Sequence, residues 1–275
     1  MELFDYYKRK GKFKLFIGTC IFLFALWCVY GTWGMVNWGQ VIFIVIVSSV
    51  FFGIGFWQLR KGNLIQKNAV KSNVTFWDVD TFVVLELPKQ NKQLELPKQN
   101  KQFGLYHPDG GYVAGTKIIS SNVLFSVIPF LSNRDVYGLE ASSGEILAYF
   151  HTEADGYDWV IYDSDYNQIG MFKEKMIQGF AAIRGSLMTD KVTKLSDVEV
   201  EFDFIQSTLR TTDGRTLAIG KQGYMPIEWS ERFMGLNVPT ITLGSNASKN
   251  EKILGLGVLL YSLRTIEIRK NRASV

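Results

Sequence analysis

Ser248–Leu263 reads SKNEKILGLGVLLYSL, and the fold turns on how that stretch is satisfied. Ser248 and Glu251 have the S-x-x-E spacing of a capping box, in which each side chain takes a backbone N–H of the other residue at a helix start. Ile253–Leu263 then follows, apolar almost all round and carrying Gly255 and Gly257. A helix with no polar face is buried in protein or in lipid. Spanning a bilayer takes about 20 apolar residues, and Arg264, Glu267, Arg269 and Lys270 come too soon for that. The remaining solution is a helix threaded through a β-barrel. Its glycines let the wall approach closely, although each costs about 1 kcal/mol of helix propensity.

Upstream, the chain from Asn73 reads as short strands broken by turns. Val79–Leu87 opens the series. Val136–Glu140 and Glu145–Thr152 flank Ser142-Ser143-Gly144, and Asp158–Tyr162 and Ile169–Lys175 flank DSDYNQ. Phe202–Thr211 and Arg215–Gly220 flank Asp213-Gly214, a strong short hairpin signal. Strands at this frequency predict a sandwich or closed barrel. Leu85–Gln93, LELPKQNKQ, is repeated without change at Leu94–Gln102. An odd repeat would flip a continuous strand from face to face, and Pro88 and Pro97 are excluded from central strands. A hairpin or exposed loop is therefore expected, with Lys89, Lys92, Lys98 and Lys101 on it.

The segments EILAYFHTE, WVIYDSDYNQIGMFKEK and LRTTDGRTLAIGK, followed by KILGLGVLLYSLRTIEIRKN, together resemble the tubby C-terminal-like superfamily. That superfamily includes LURP-one-related proteins and phospholipid scramblases. The resemblance runs from about Asn73 to Asn271 and implies a closed barrel of about twelve strands around a central C-terminal helix. It also suggests contact with lipid. Tubby proteins hold phosphoinositides through basic side chains on the barrel, and no such residue carries over to this slightly acidic domain. The family's scramblases place their membrane segment last, whereas here the apolar runs come first.

Leu15–Tyr30 and Val41–Trp57 are those runs, and no charge occurs from Leu15 through Leu59. In lipid a lone strand leaves its backbone unpaired, so both are expected as helices, with Lys14 snorkelling to the headgroups. Lys8, Arg9, Lys10, Lys12 and Lys14 precede the first and Arg60, Lys61, Lys67 and Lys71 follow the second. The linking Gly31–Gln40 has no charge. The positive-inside rule then puts both termini in the cytoplasm and predicts a cell-membrane protein with two spans. A cleaved signal peptide is the alternative for the first run, but no A-x-A-like site follows it. Ser49 and Gly53 make a small-xxx-small pair, expected to pack on the first helix, with a dimer interface as the alternative. The organisation is a basic tail (1–12), a transmembrane hairpin (13–60), a basic linker (61–72) and a mainly-β barrel domain (73–275).

Of the formal net charge of +4, residues 1–14 carry +3 and residues 60–71 carry +4, leaving −3 on the rest. The basic balance thus belongs to the membrane flanks, where anionic headgroups attract it, and nucleic acid is not a partner. Both cysteines, Cys20 and Cys28, lie in the first run, so the barrel domain has neither a disulfide nor a thiolate site. Asp163-Ser-Asp165-Tyr-Asn167 opens like a calcium loop, but Gln168 stands where glycine is needed, and a turn explains the residues as well. His107 and His151 are the only histidines, and neither sits in a zinc spacing. No nucleophile-elbow, P-loop or dinucleotide motif is present, and neither a catalytic residue nor a cofactor is expected.

The candidate site residues are basic: Arg60, Lys61, Lys67, Lys71, Arg269, Lys270 and Arg272, taken as a lipid-facing set. The alternative for Arg264 and for the last three is that they neutralise the C-terminal dipole of the final helix. The function expected is a non-enzymatic, membrane-tethered binding module that meets membrane lipids or a protein partner. Two other classes stay open: scramblase-like lipid handling, and an interaction or immunity protein that acts through its hairpin.

Overall fold

The computed structural model describes residues 3–31, 38–68, 74–87, 102–119, 136–152, 158–175, 182–190, 193–201, 206–223, 225–233 and 237–273. The chain divides into two compact units, Met1–Lys71 and Ser72–Val275.

The first unit is a pair of helices, α1 (Leu3–Gly31) and α2 (Trp38–Asn68). Both outrun the apolar runs: residues 3–12 and 61–68, expected as tail and linker, are helical extensions that carry the basic residues. Val41–Arg60 is long and apolar enough to cross a membrane, with mean hydropathy 2.2. The helices meet through glycine. A Cβ on Gly11 would lie 2.9 Å from the Gly55 carbonyl oxygen, and one on Gly18 would lie 3.3 Å from the Phe51 Cβ. The expected Ser49–Gly53 contact is overturned. Both residues are exposed, and a Cβ on Gly53 would meet nothing within 4 Å. The helical period puts Gly55 and buried Ser48 on the inner face instead.

The second unit is a closed antiparallel barrel of twelve strands. They are β1 (Thr81–Leu87), β2 (Gln102–Tyr106), β3 (Tyr112–Ile119), β4 (Val136–Ala141), β5 (Ile146–Thr152) and β6 (Trp159–Asp163). There follow β7 (Gln168–Glu174), β8 (Ala182–Thr189), β9 (Lys194–Glu201), β10 (Gln206–Thr211), β11 (Thr216–Lys221) and β12 (Thr240–Leu243). Each strand pairs with the next, and β12 closes on β1 with Phe82 opposite Ile241. Closure removes every free edge. The hairpins expected around Gly144, Asn167 and Gly214 are present. β10 begins at Gln206, while residues 202–205 lie outside the description. Leu87 pairs with Gln102, so 88–101, which hold most of the duplicated segment and all four of its lysines, link two paired strands but lie outside the described residues.

Four of the hairpin turns share one geometry. In each, the first residue's N–H donates to the fifth residue's carbonyl, and the fourth residue's N–H donates back to the first carbonyl. The fourth position has positive φ in Gly110, Gly144 and Gly214, the left-handed position of a type I turn with a bulge. In the fourth turn Tyr166 occupies it, at φ 63°. Its ring stacks on Tyr149 with centroids 4.1 Å apart.

Helix α4 (Lys249–Ala273) runs through the barrel. Ile253–Leu263 is buried throughout and joins Phe82, Leu105, Leu139, Phe150, Ile161, Phe172 and Leu209 in one core. The capping box forms: the Ser248 N–H donates to Glu251 Oε2 at 2.7 Å, and the Glu251 N–H donates to Ser248 Oγ at 3.3 Å. A Cβ on Gly257 would fall 2.9 Å from both Phe150 Cε1 and Ile161 Cδ1, so only glycine lets the helix sit this close to the wall. Short helix α3 (Ile227–Phe233) lies against the barrel's outer wall, where buried Phe233 covers Tyr106 at 6.3 Å.

The two barrel mouths differ. Tight turns at 107–111, 142–145, 164–167 and 212–215 surround the start of α4, and the chain enters β1 there. Strands β1, β3, β5, β7, β9 and β11 end at the other mouth, where the second half of α4 lies.

Candidate functional site at the barrel mouth

At the tight-turn mouth the charges form a clasp. Arg215, in the β10–β11 turn, donates from Nε to Asp213 Oδ2 at 2.8 Å and from Nη2 to Glu251 Oε1 at 3.1 Å. The Asp213 carboxyl, bonded by the Thr211 hydroxyl and by Arg215, is held down at about 2. Burial pushes the Glu251 carboxyl up, but the bonds from the Ser248 backbone N–H and from Arg215 outweigh it and leave it below the usual range. These groups fasten the helix start, with Asp213 and Arg215 themselves half exposed.

The other mouth carries the candidate site. β6 begins there with Trp159, β7 ends there with Glu174, and α4 brings Tyr261, Arg264 and Arg269 past them. Trp159 is buried, stacked on Phe150 at 5.9 Å and tilted against Tyr137 at 5.8 Å. Arg264 lies over both rings, its guanidinium carbon 4.8 Å from the Tyr137 centroid and 5.8 Å from that of Trp159, a cation–π arrangement. A cleft of about 10 Å³ lies between Phe103, Thr116, Tyr137, Phe150, Trp159, Leu260 and Arg264. Beside it, the buried Glu174 carboxylate accepts from Tyr261 Oη at 2.7 Å and pairs with the Arg269 guanidinium. Burial and the Glu174 charge push the Tyr261 phenol up from its ordinary value.

The basic set divides between the units. Arg60 is exposed on α2, Lys61 and Lys67 continue that helix, and Lys71 lies outside the described residues. On α4, Arg269 is turned inward to Glu174, while Lys270 and Arg272 continue the helix toward its end. Arg264 does not cap the helix terminus, because α4 runs on to Ala273. His151 is buried in β5 with Nε2 3.3 Å from Tyr162 Oη, and the half-buried His107 sits 2.8 Å from Asp109 Oδ1 within its turn. In the calcium-like loop, Asp163 Oδ1 accepts the N–H groups of Asp165 and Asn167, both at 2.9 Å. That is the hydrogen bonding of an Asx turn. Among the described residues no cluster of three His, Cys, Asp or Glu side chains could hold a metal.

Sequence reasoning missed Trp159, Tyr137, Glu174 and Tyr261. One signal was available: an arginine directly after a buried apolar run, still inside the helix, calls for an aromatic or acidic partner. Alternation along β7 could have put Glu174 on the same inner face as Phe172.

No protein-family model matches this chain, and neither does any curated protein or solved structure.

Proposed function

We propose that this chain is a membrane-tethered, non-enzymatic binding module. Both helices of the first unit cross the cell membrane as a hairpin, with both termini in the cytoplasm. The barrel meets anionic lipid headgroups or a protein partner, in the manner of a tubby-like domain. The observation that carries the reading is the apolar surface of the helix pair. Phe13, Trp27, Phe43 and Phe56 are 63 %, 69 %, 67 % and 69 % exposed, an arrangement that water penalises and hydrocarbon does not. The basic residues lie in the first turns of α1 and the last turns of α2, the ends that face a cytoplasmic leaflet in this topology. A closed barrel around a helix with an apolar middle supports the tubby-like reading.

A second reading has its own observation. Ser49 and Gly53 face away from α1, so the hairpin presents a surface for close helix approach to another membrane protein.

The topology is tested by replacing Cys20 and Cys28 with serine and placing single cysteines at Lys8, Asn37 and Lys71. In intact cells, a membrane-impermeant maleimide is expected to label only the Asn37→Cys variant, and all three after permeabilisation. Labelling of Lys71→Cys from outside would overturn the two-span arrangement.

A further inference from the structure

Among the described residues, every exposed large apolar side chain lies on α1 or α2, with one exception. Ile227, in the barrel unit, is 73 % exposed. Its segment is pinned on both sides. Buried Met225 precedes it, buried Phe233 ends its helix against Tyr106, and Arg232 donates to the Pro108 carbonyl at 3.3 Å. Pro226 beside it is exposed, and Trp229 two residues on is half-buried. Helix α3 thus holds an isoleucine out toward solvent, fixed to the 107–111 turn at the mouth where the chain enters β1.

Patch size and tether select the occupant. A specific protein interface covers about 800 Å² of each partner around a cluster of anchors. Ile227 is a single large side chain, and the neighbouring Glu228 and Arg232 are exposed and charged. That patch is too small for a stable protein contact. A bilayer needs less, because a tethered domain already stands over it at high effective concentration. Only residues 69–73 separate the described part of α2 from that of the barrel unit, and a stretch of that length reaches at most about 20 Å. Trp229 suits the same boundary, since indole rings favour the headgroup level. Glu228, Glu231 and Arg232 leave α3 without a basic face, so apolar contact draws it and lipid charge does not.

We infer that α3 is a membrane wedge. Ile227 enters the boundary between headgroups and acyl chains of the bilayer that α1 and α2 cross, with Trp229 at headgroup level beside it. The inference rests on the membrane-tethered reading and adds to it the barrel surface that meets lipid.

The test uses the full chain in nanodiscs of zwitterionic lipid, with carbon-13 on the isoleucine δ1 methyls. Ile227→Val identifies the Ile227 signal by its loss, and the same substitution identifies the controls. Ile42 and Ile46, exposed on α2, report on the spans, and buried Ile161 reports on the barrel interior. Lipid carrying a nitroxide near the head of its acyl chain is expected to broaden Ile227 together with Ile42 and Ile46, and to spare Ile161. A gadolinium chelate in the buffer should broaden Ile227 no more than it broadens Ile42. If Ile42 and Ile46 respond to the lipid nitroxide and Ile227 does not, the wedge is overturned and the membrane reading stands. Stronger broadening of Ile227 than of Ile42 by the chelate overturns the wedge as well. If Ile42 and Ile46 also escape the lipid nitroxide, the membrane reading falls and the wedge falls with it.

Discussion

Glu174 ends β7 with its side chain 3 % exposed, and Arg269 beside it is 22 % exposed. A carboxylate so placed depends on its partners, since the loss of one leaves a charge without compensation. Arg269→Met should therefore destabilise the barrel by about 3 kcal/mol, read from the denaturant midpoint. The double variant Glu174→Met with Arg269→Met should recover at least half of that loss, because two apolar side chains leave no buried charge. If the double variant is as unstable as the single, the pair acts through packing and not through charge. Tyr166 makes a contrasting case. The left-handed backbone costs a non-glycine residue about 1–2 kcal/mol, and stacking on Tyr149 returns about 0.5–1.5 kcal/mol. The two nearly cancel, so the sequence carries a tyrosine where its sister turns carry glycine.

Helix α4 is held at its start by the capping box and the Arg215 clasp, and along its middle by close approach to β5, β6 and β11. Alanine normally improves a helix over glycine by about 1 kcal/mol. At Gly257 the added methyl meets Phe150 and Ile161 at 2.9 Å, and overpacking costs about 1–3 kcal/mol. Gly257→Ala should thus lower the thermal midpoint; a rise would show that the wall yields freely. The clasp also sets an acid limit. Asp213 is held at about 2 and Glu251 is lowered, while unfolded carboxyls titrate near about 4. Lowered folded values mean stability that is fully present above that range and is lost as pH falls through the folded values. Glu251→Gln should therefore be less stable than the parent at pH 7. The gap should close as pH is lowered below the ordinary carboxylate range, as urea titrations at several pH values would show. A gap that stays constant with pH would assign the effect to geometry alone.

For the molecule as a whole, charge is concentrated away from the barrel: residues 1–14 and 60–71 are strongly basic and the remainder is acidic. If the cytoplasmic face reads anionic lipid, the full chain in zwitterionic nanodiscs should co-float with anionic liposomes at low salt. It should lose them as ionic strength rises and the Debye length falls to about 8 Å or less. Co-flotation with neutral liposomes, or indifference to salt, would turn the reading toward a protein partner. The closed barrel was legible because its central helix has no polar face and its hairpins have fixed turn chemistry, both local properties. The paired helices were legible from uninterrupted apolar length, and their basic flanks from simple position. The mouth site was not. Trp159 and Arg264 stand far apart in the chain, and only barrel closure around α4 puts the indole ring under the guanidinium. Ser49 and Gly53 likewise looked equivalent to Gly55 by composition, and only the rotation of α2 against α1 separated the packed face from the exposed one. Sequence alone determined which segments must be hidden from water. The tertiary structure decided which side chains meet, because contacts across a barrel depend on register and closure, and no local pattern encodes them.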